Sequence, residues 1–311
     1  MKERVIITGI TGFIGANLKS YIKDGFIVKG VSRAADKKNE IYDYQDVIKL
    51  LSNSKALVHL AGKAHDLKNT ANDTEYFEVN TELTIKLYNQ FLKSDCKIFI
   101  YLSSVKAVRD SVDGVLIERT PPNPLTAYGR SKLKAEEYII NQTLPEGKSF
   151  YILRPCMVHG IGNKGNLNLL YNFISKGLPY PLSSFENKRS YLSVENLCFI
   201  ISEILKREDI PSGIYNLSDD EALSTTELIS ILSKTLNRQP RFLPIPKRLI
   251  SIIAKIGDIL KLPINSEKLG KLTENYVVSN QKIKQVLKKS LPLSSRDGIL
   301  ITARSFKDIK R

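Results

Sequence analysis

Three glycines, Gly9, Gly12 and Gly15, stand between a short β-rich run, VIIT (5–8), and an amphipathic stretch from Ile14 to Lys23. A glycine triplet alone says little. Placed after a strand and at the mouth of a helix, it allows a tight turn and a close backbone approach to a pyrophosphate, whose charge the helix N-terminus favours. The spacing predicts dinucleotide binding, and it commits the chain to open with a strand–helix unit of a parallel sheet.

The rest of the first half keeps that alternation. IVKGVS (27–32), ALVHLA (56–61), KIFIYLSS (97–104) and FYILRP (150–155) read as strands. DVIKLL (46–51), Asn80 to Leu92 and 126–142 read as helices. Strands this continuously apolar are buried on both faces, which means a doubly wound α/β sheet with right-handed crossovers. The second half is richer in Gly and Pro loops, with helical stretches near 166–176, 194–206, 224–236 and 247–260 and one more strand at GIYNLS (213–218). The expected organisation is a dinucleotide-binding domain over 1–158 and a smaller substrate lobe over 159–311, with segments near 190–218 returning to the first.

The totals exclude several classes. No apolar run reaches the roughly 20 residues of a membrane span. The apolar start lacks the small-residue cleavage site of a signal peptide. Cys96, Cys156 and Cys198 are dispersed and odd in number, so they give neither a disulfide framework nor zinc spacing and suit a reducing cytoplasm. His59, His65 and His159 show no metal-ligand pattern, so no metal is expected. The net charge of +15 is spread rather than blocked, and no aromatic–basic cluster accompanies it, so a solvated surface is expected and nucleic acid is not. One stretch, PIPKRLISIIAKIGDILKLPI (244–264), mixes lysines with Leu and Ile at helical spacing. It is expected to pack on its own lobe, with peripheral contact to an anionic membrane as the lesser alternative.

Two features narrow the chemistry. At the end of the second strand the sequence has Ser32 and Arg33 and no acid. A hydroxyl and a guanidinium suit a 2′-phosphate, so NADP is favoured over NAD. Further on, Tyr128 and Lys132 lie four apart on a helix and share a face. An ammonium beside a phenol stabilises the phenolate and makes the tyrosine a usable acid or base. Such a pair is common by chance. Its context is what makes it a site: YLSS ends the strand just before, at the edge where ligands sit in this architecture, and Ser104 there can bond a substrate oxygen.

The ordered set TGITGFIG, VHLAG, EVNTELT, LSSVKAV, YGRSK, LRPCMVHG, KRSYLSVENL and GIYNLSDDEALSTTEL resembles the extended short-chain dehydrogenase/reductase family, in its nucleotide-sugar branch, over nearly the whole chain. The resemblance implies a Rossmann-type sheet with a smaller C-terminal substrate-binding lobe, and a homodimer. It implies that Tyr128 exchanges a proton with a sugar hydroxyl, that Lys132 lowers its pKa and holds the nicotinamide ribose, and that Ser104 aligns the reacting oxygen, Ser103 being the alternative. Asn80 is implied to support the site helix through its backbone. Phe13, Ile14, Leu60, Ala61, Gly62 and Pro155 are implied to line the cofactor. Arg189 is implied to grip the nucleotide diphosphate, and Asn166 to touch substrate.

The sequence departs from the family at AVRD (107–110), where VYGE is usual, and at RPCMVHGIG, where RPxxVYGPG is usual. Val105 and Lys106 stand where a 4,6-dehydratase needs an acidic pair, which argues against that reaction. Of the two left, Ser32 and Arg33 favour a 4-ketoreductase of a UDP-4-keto-6-deoxy-N-acetylhexosamine in bacterial surface-polysaccharide assembly. A UDP-glucose or UDP-N-acetylglucosamine 4-epimerase is the alternative. A non-catalytic NADP-binding sensor is remote, because it has no use for the Tyr–Lys pair.

Overall fold

A computed structural model describes residues 2–64, 73–163, 166–260 and 265–308. His65 lies outside the described residues. The first half contains β1 (Arg4–Thr8), α1 (Phe13–Ile22), β2 (Ile27–Val31), β3 (Ile41–Tyr42), α2 (Val47–Leu51), β4 (Ala56–His59), α3 (Asp73–Phe77), α4 (Leu83–Leu92), β5 (Ile98–Leu102), β6 (Val115–Leu116), α5 (Ala127–Ile140) and β7 (Ser149–Pro155). The second contains β8 (Met157–His159), α6 (Asn166–Ser175), β9 (Tyr191–Ser193), α7 (Val194–Lys206), β10 (Gly213–Leu217), α8 (Thr225–Thr235), α9 (Lys247–Ile259), α10 (Ser266–Thr273), β11 (Val277–Val278), α11 (Gln281–Leu287) and α12 (Ser295–Asp308).

Seven strands form one parallel sheet in the order β3-β2-β1-β4-β5-β7-β10. Strand order reverses between β1 and β4, which opens a crevice at their carboxyl ends. The alternation of side chains explains the unbroken apolar strands. Val5, Ile7, Ala56, Val58, Ile98 and Ile100 bury into one core, and Ile6, Leu57, Phe99, Tyr101 and Ile152 into the core on the opposite face. The chain leaves the sheet after Pro155, returns as α7 packed against α1, and adds β10 beside β7. A third core joins α6, α8 and α12. Local signals set the helix starts. Ser224 and Glu227 form a reciprocal capping box on α8, and Ser193 caps α7.

Two expectations change. The helix expected over Asn80–Leu92 begins earlier, at Asp73, and carries a π-helical turn over Glu78–Glu82 between α3 and α4. The 244–264 stripe packs on its own lobe along one edge only. Ile250 and Ala254 are buried, whereas Leu249, Ile252, Ile253, Ile256 and Leu260 are exposed. The apolar arc of α9 is wider than the surface its neighbours offer. Residues 261–264 lie outside the described residues.

Gly9 adopts φ +69°, and a Cβ there would stand 2.8 Å from the Ala61 amide nitrogen. Left-handed backbone costs an L-residue roughly 1–2 kcal/mol before any collision. Gly9→Ala is therefore expected to lower stability by at least that amount in a denaturant titration. A variant as stable as the parent would show that the β1–α1 turn does not need this geometry.

Candidate active site

The carboxyl ends of β1, β4, β5 and β7 lie side by side, ending at Thr8, His59, Leu102 and Pro155. α5 is fixed against this edge from its first turn. Thr126 caps it, its hydroxyl accepting from the Gly129 N–H at 3.2 Å. Asp110 holds the cap in turn, accepting from the Leu125 N–H at 2.7 Å and from the Thr126 hydroxyl at 3.2 Å. Gly129 lies so close to the turn after β5 that a Cβ would stand 2.8 Å from Pro124 Cβ and run into the Lys106 carbonyl. That close approach brings Tyr128 to Ser104.

Ser104 follows β5 and accepts from the Lys106 N–H at 3.1 Å, capping a short 3₁₀ turn over Val105–Ala107. The Tyr128 phenol lies near enough to the Ser104 side chain for that serine to lower its pKa. Burial pushes its pKa up from the ordinary value, Ser104 pulls it down, and Tyr76 adds an upward push. The Tyr76 ring meets Tyr128 edge-on at 6.3 Å between centroids.

Lys132 is one turn further along and buried. Its ammonium donates to the Leu102 carbonyl at 2.9 Å and sits 4.8 Å from the centre of the Tyr101 ring. Burial lowers its pKa to about 8, opposed by the carboxylate of Glu136. A Cβ on Gly62 would lie 3.0 Å from both the Lys132 Nζ and the Asn80 Oδ1. His59, behind the lysine, is neutral: burial and the Lys132 charge press its pKa down to about 3. Its ring lies 2.6 Å from the Thr8 hydroxyl and 3.0 Å from that of Thr84, and it stacks on Tyr101.

The two serines separate cleanly. The Ser103 hydroxyl donates to Glu136, which is also held by Arg154, whose Nε reaches the two carboxylate oxygens at 3.0 and 3.1 Å. Ser104 is the one beside Tyr128. Asn80 acts differently from the expectation that it works through its backbone. Its side chain accepts from the Lys63 N–H at 2.8 Å and donates to the Lys63 carbonyl and to the Ser131 hydroxyl, each at 3.0 Å. The Asn80 carbonyl accepts from the side chains of Thr84, at 2.7 Å, and Tyr101, at 3.4 Å.

The remaining expected residues fall around the same edge. Gly12 ends the glycine loop, and no side chain caps α1 above it, so the dipole of a 10-residue helix is left facing the crevice. Gly15 packs so tightly that a Cβ would fall on the Gly9 carbonyl. A loop this bare, over an uncapped helix, fits a pyrophosphate. Phe13 and Ile14 pack on the core, with Phe13 beside Gly160 and Gly162. Leu60 N–H donates to the Thr8 carbonyl at 3.2 Å, and Ala61 N–H to the Thr8 hydroxyl at 3.3 Å. Gly9 N–H bonds the Val31 carbonyl, which sets the end of β2 beside the loop. Ser32 and the exposed Arg33 follow there, and Arg33 offsets the burial-driven rise in the Tyr44 pKa. Pro155 closes β7.

Arg189 joins this group through Tyr276. It makes an ion pair with Glu274 at 3.2 Å and bridges both Leu223 and Tyr276. The Tyr276 hydroxyl donates to the Arg109 carbonyl at 2.7 Å, on the loop after Ser104, and its ring lies 4.4 Å from the Lys106 ammonium. Asn166 opens α6, but its side chain lies outside the described residues.

Residues 5–218 match the model of the NAD dependent epimerase/dehydratase family. The chain belongs to that family. The chain is 31% identical to a UDP-glucose 4-epimerase of Vibrio cholerae, over 98% of this chain and 96% of that protein. It is 26% identical to an N-acetyl-alpha-D-glucosaminyl-diphospho-ditrans,octacis-undecaprenol 4-epimerase of Escherichia coli O157:H7, over 92% and 86% respectively. Its fold matches a solved UDP-N-acetylglucosamine 4-epimerase from Bacillus cereus with a TM-score of 0.77 at 21% identity, over the full length of both chains.

Several parts of the site escaped the sequence reading. Glu136 extends the Tyr128–Lys132 face by another turn, and Arg154 is a charge inside an apolar strand, so both carried a readable signal. Tyr76 and Tyr276 carried none, because their approach depends on tertiary packing.

Burial lowers the Lys132 pKa from its ordinary 10.5 to about 8 in the folded protein. Below pH 8 both states hold the proton and burial of the charge destabilises the fold in full. Between 8 and 10.5 the unfolded chain binds more protons, so stability rises with pH, by on the order of 3 kcal/mol. Lys132→Met should remove that rise and unfold later than the parent at pH 7, measured by chemical denaturation. A parent whose stability is flat over this window would contradict the assignment. Glu136→Gln should cost about 3–5 kcal/mol in the same experiment, since it strands Arg154.

Proposed function

We propose that this chain is an NAD(P)-dependent 4-epimerase of a UDP-linked hexose or N-acetylhexosamine. The carrying observation is the close packing of the first turn of α5 on the turn after β5, which sets Tyr128 near Ser104, one helical turn from a buried lysine at the carboxyl edge of the sheet. The similarity to UDP-sugar 4-epimerases over nearly the whole chain supports that choice.

The glycine loop from Gly9 to Gly15 would hold the dinucleotide pyrophosphate, and Lys132 the nicotinamide ribose. When bound, the dinucleotide supplies the hydride acceptor and donor for carbon 4. Tyr128 takes the proton from the sugar 4-hydroxyl and returns it. That first transfer needs the phenolate: burial opposes it by raising the phenol's pKa, and the Ser104 side chain favours it by pulling the pKa down. Ser104 also anchors the reacting oxygen, so the oxygen stays in place while the sugar turns. Glu136 keeps the neighbouring lysine charged near neutral pH. Arg189, steadied by Glu274, is positioned to take a nucleotide diphosphate.

A second reading rests on one observation. The end of β2 offers Ser32 and Arg33 and no carboxylate, which favours NADPH and net reduction of a 4-keto-6-deoxy sugar. Ser32 and Arg33 favour this 4-ketoreductase, and similarity to UDP-sugar 4-epimerases supports the epimerase.

Interconversion of UDP-glucose with UDP-galactose, or of the N-acetyl pair, is the expected outcome when each is incubated with the protein and resolved by chromatography. Tyr128→Phe should slow it by about 10²–10⁴-fold. Stoichiometric loss of NADPH absorbance with a UDP-4-keto-6-deoxy-N-acetylhexosamine, without interconversion, would establish the reductase instead. Arg33→Asp should shift preference from NADPH towards NADH by about tenfold, the worth of one charge-assisted hydrogen bond. Unchanged preference would remove Arg33 from the cofactor site.

A further inference from the structure

The exposed face of α9 has an arrangement that nothing in the sugar chemistry requires. Leu249, Ile252, Ile253, Ile256 and Leu260 fall on one arc about 100° wide when the helix is viewed down its axis. All are exposed, Ile252 by 54% and Leu260 by 62%. Ile250 and Ala254, on the adjacent arc, are the residues by which the helix is anchored to the protein. The apolar surface therefore continues past the part the fold uses. Soluble proteins seldom expose a contiguous row of large aliphatic side chains without a partner.

Charge says which partner. Arg248 and Lys255 are exposed and border the apolar arc on the side away from the protein. Asp258, the acidic residue of this helix, lies outside the arc and accepts from the Ser266 N–H at 2.9 Å. The chain as a whole carries +15. An aliphatic arc with a basic border is the pattern of a helix lying in the headgroup plane of an anionic bilayer. A second copy of the chain fits less well, because a two-fold pairing sets two equally basic borders together.

We propose that α9 docks this protein on an anionic phospholipid surface, with Leu249, Ile252, Ile253, Ile256 and Leu260 in the acyl boundary and Arg248 and Lys255 at the phosphates. The same segment continues through α10 to Glu274 and Tyr276, which hold Arg189 and the loop after Ser104. Docking thus attaches to the wall that carries the diphosphate-binding arginine. The proposal does not depend on which sugar is turned over.

Flotation of the whole protein with phosphatidylglycerol-containing vesicles tests it, with pure phosphatidylcholine vesicles as the control. The parent should float with the anionic vesicles and much less with the neutral ones, and added salt should weaken binding. Arg248→Glu should weaken it by about fivefold or more. The double substitution Ile252→Glu and Ile256→Glu should reduce it at least tenfold while turnover of soluble substrate is unchanged. The chain has no tryptophan, so Ile256→Trp provides a reporter whose emission should shift to the blue on anionic vesicles. Three results would overturn the proposal: no flotation, equal flotation of the double variant, or a self-association in sedimentation experiments that the double variant abolishes.

Discussion

The burial of one ammonium organises this site. Lys132 is driven under the carboxyl edge of the sheet because α5 packs there, and its charge is costly unless something receives it. The Leu102 carbonyl and the Tyr101 ring face it, and Glu136 holds its proton against the pull of burial. Gly62 has no side chain where a Cβ would press on Nζ. His59 stays neutral partly because the lysine is charged. The position of Tyr128 follows, since it rides the same helix one turn earlier.

Behind that group lies a second buried charge system. Glu136 and Arg154 neutralise each other between α5 and β7, and Ser103 completes the carboxylate's contacts. Charge pairs of this kind contribute little net stability, but each member is committed once the other is buried. Their effect is to lock the rotation of α5 on the sheet. A rotation of α5 would move Tyr128 away from Ser104 and disturb Ala135 and Ile139, which are buried in the core on that face.

Much of this was legible before any coordinates. The unbroken apolar runs at 56–61 and 97–104 could belong only to strands covered on both faces, and the glycine triplet fixed where the first turn had to fall. Tyr128, Lys132 and Ser104 could be placed because each sits at a definite point on a regular element. What could not be read depends on contacts between distant segments. Tyr276 reaches the loop after Ser104 from more than 160 residues away, and nothing near it in the chain marks it. The side chain of Asn80, bonded to Lys63 and Ser131, was misread as a backbone effect for the same reason. In α9 the helical period identified an apolar stripe correctly, but a period cannot say how much of a stripe the rest of the fold will cover.

The π-turn at Glu78–Glu82 sets a limit on how this chain can vary. A turn closed at i to i+5 contains one residue more than an α-turn of the same rise. Losing that residue would restore a regular helix and turn everything before it by about 100° relative to α4. Tyr76 would then leave the edge of Tyr128. The segment tolerates substitution more readily than a change of length, so a single-codon deletion there is a frameshift in space although the reading frame is intact.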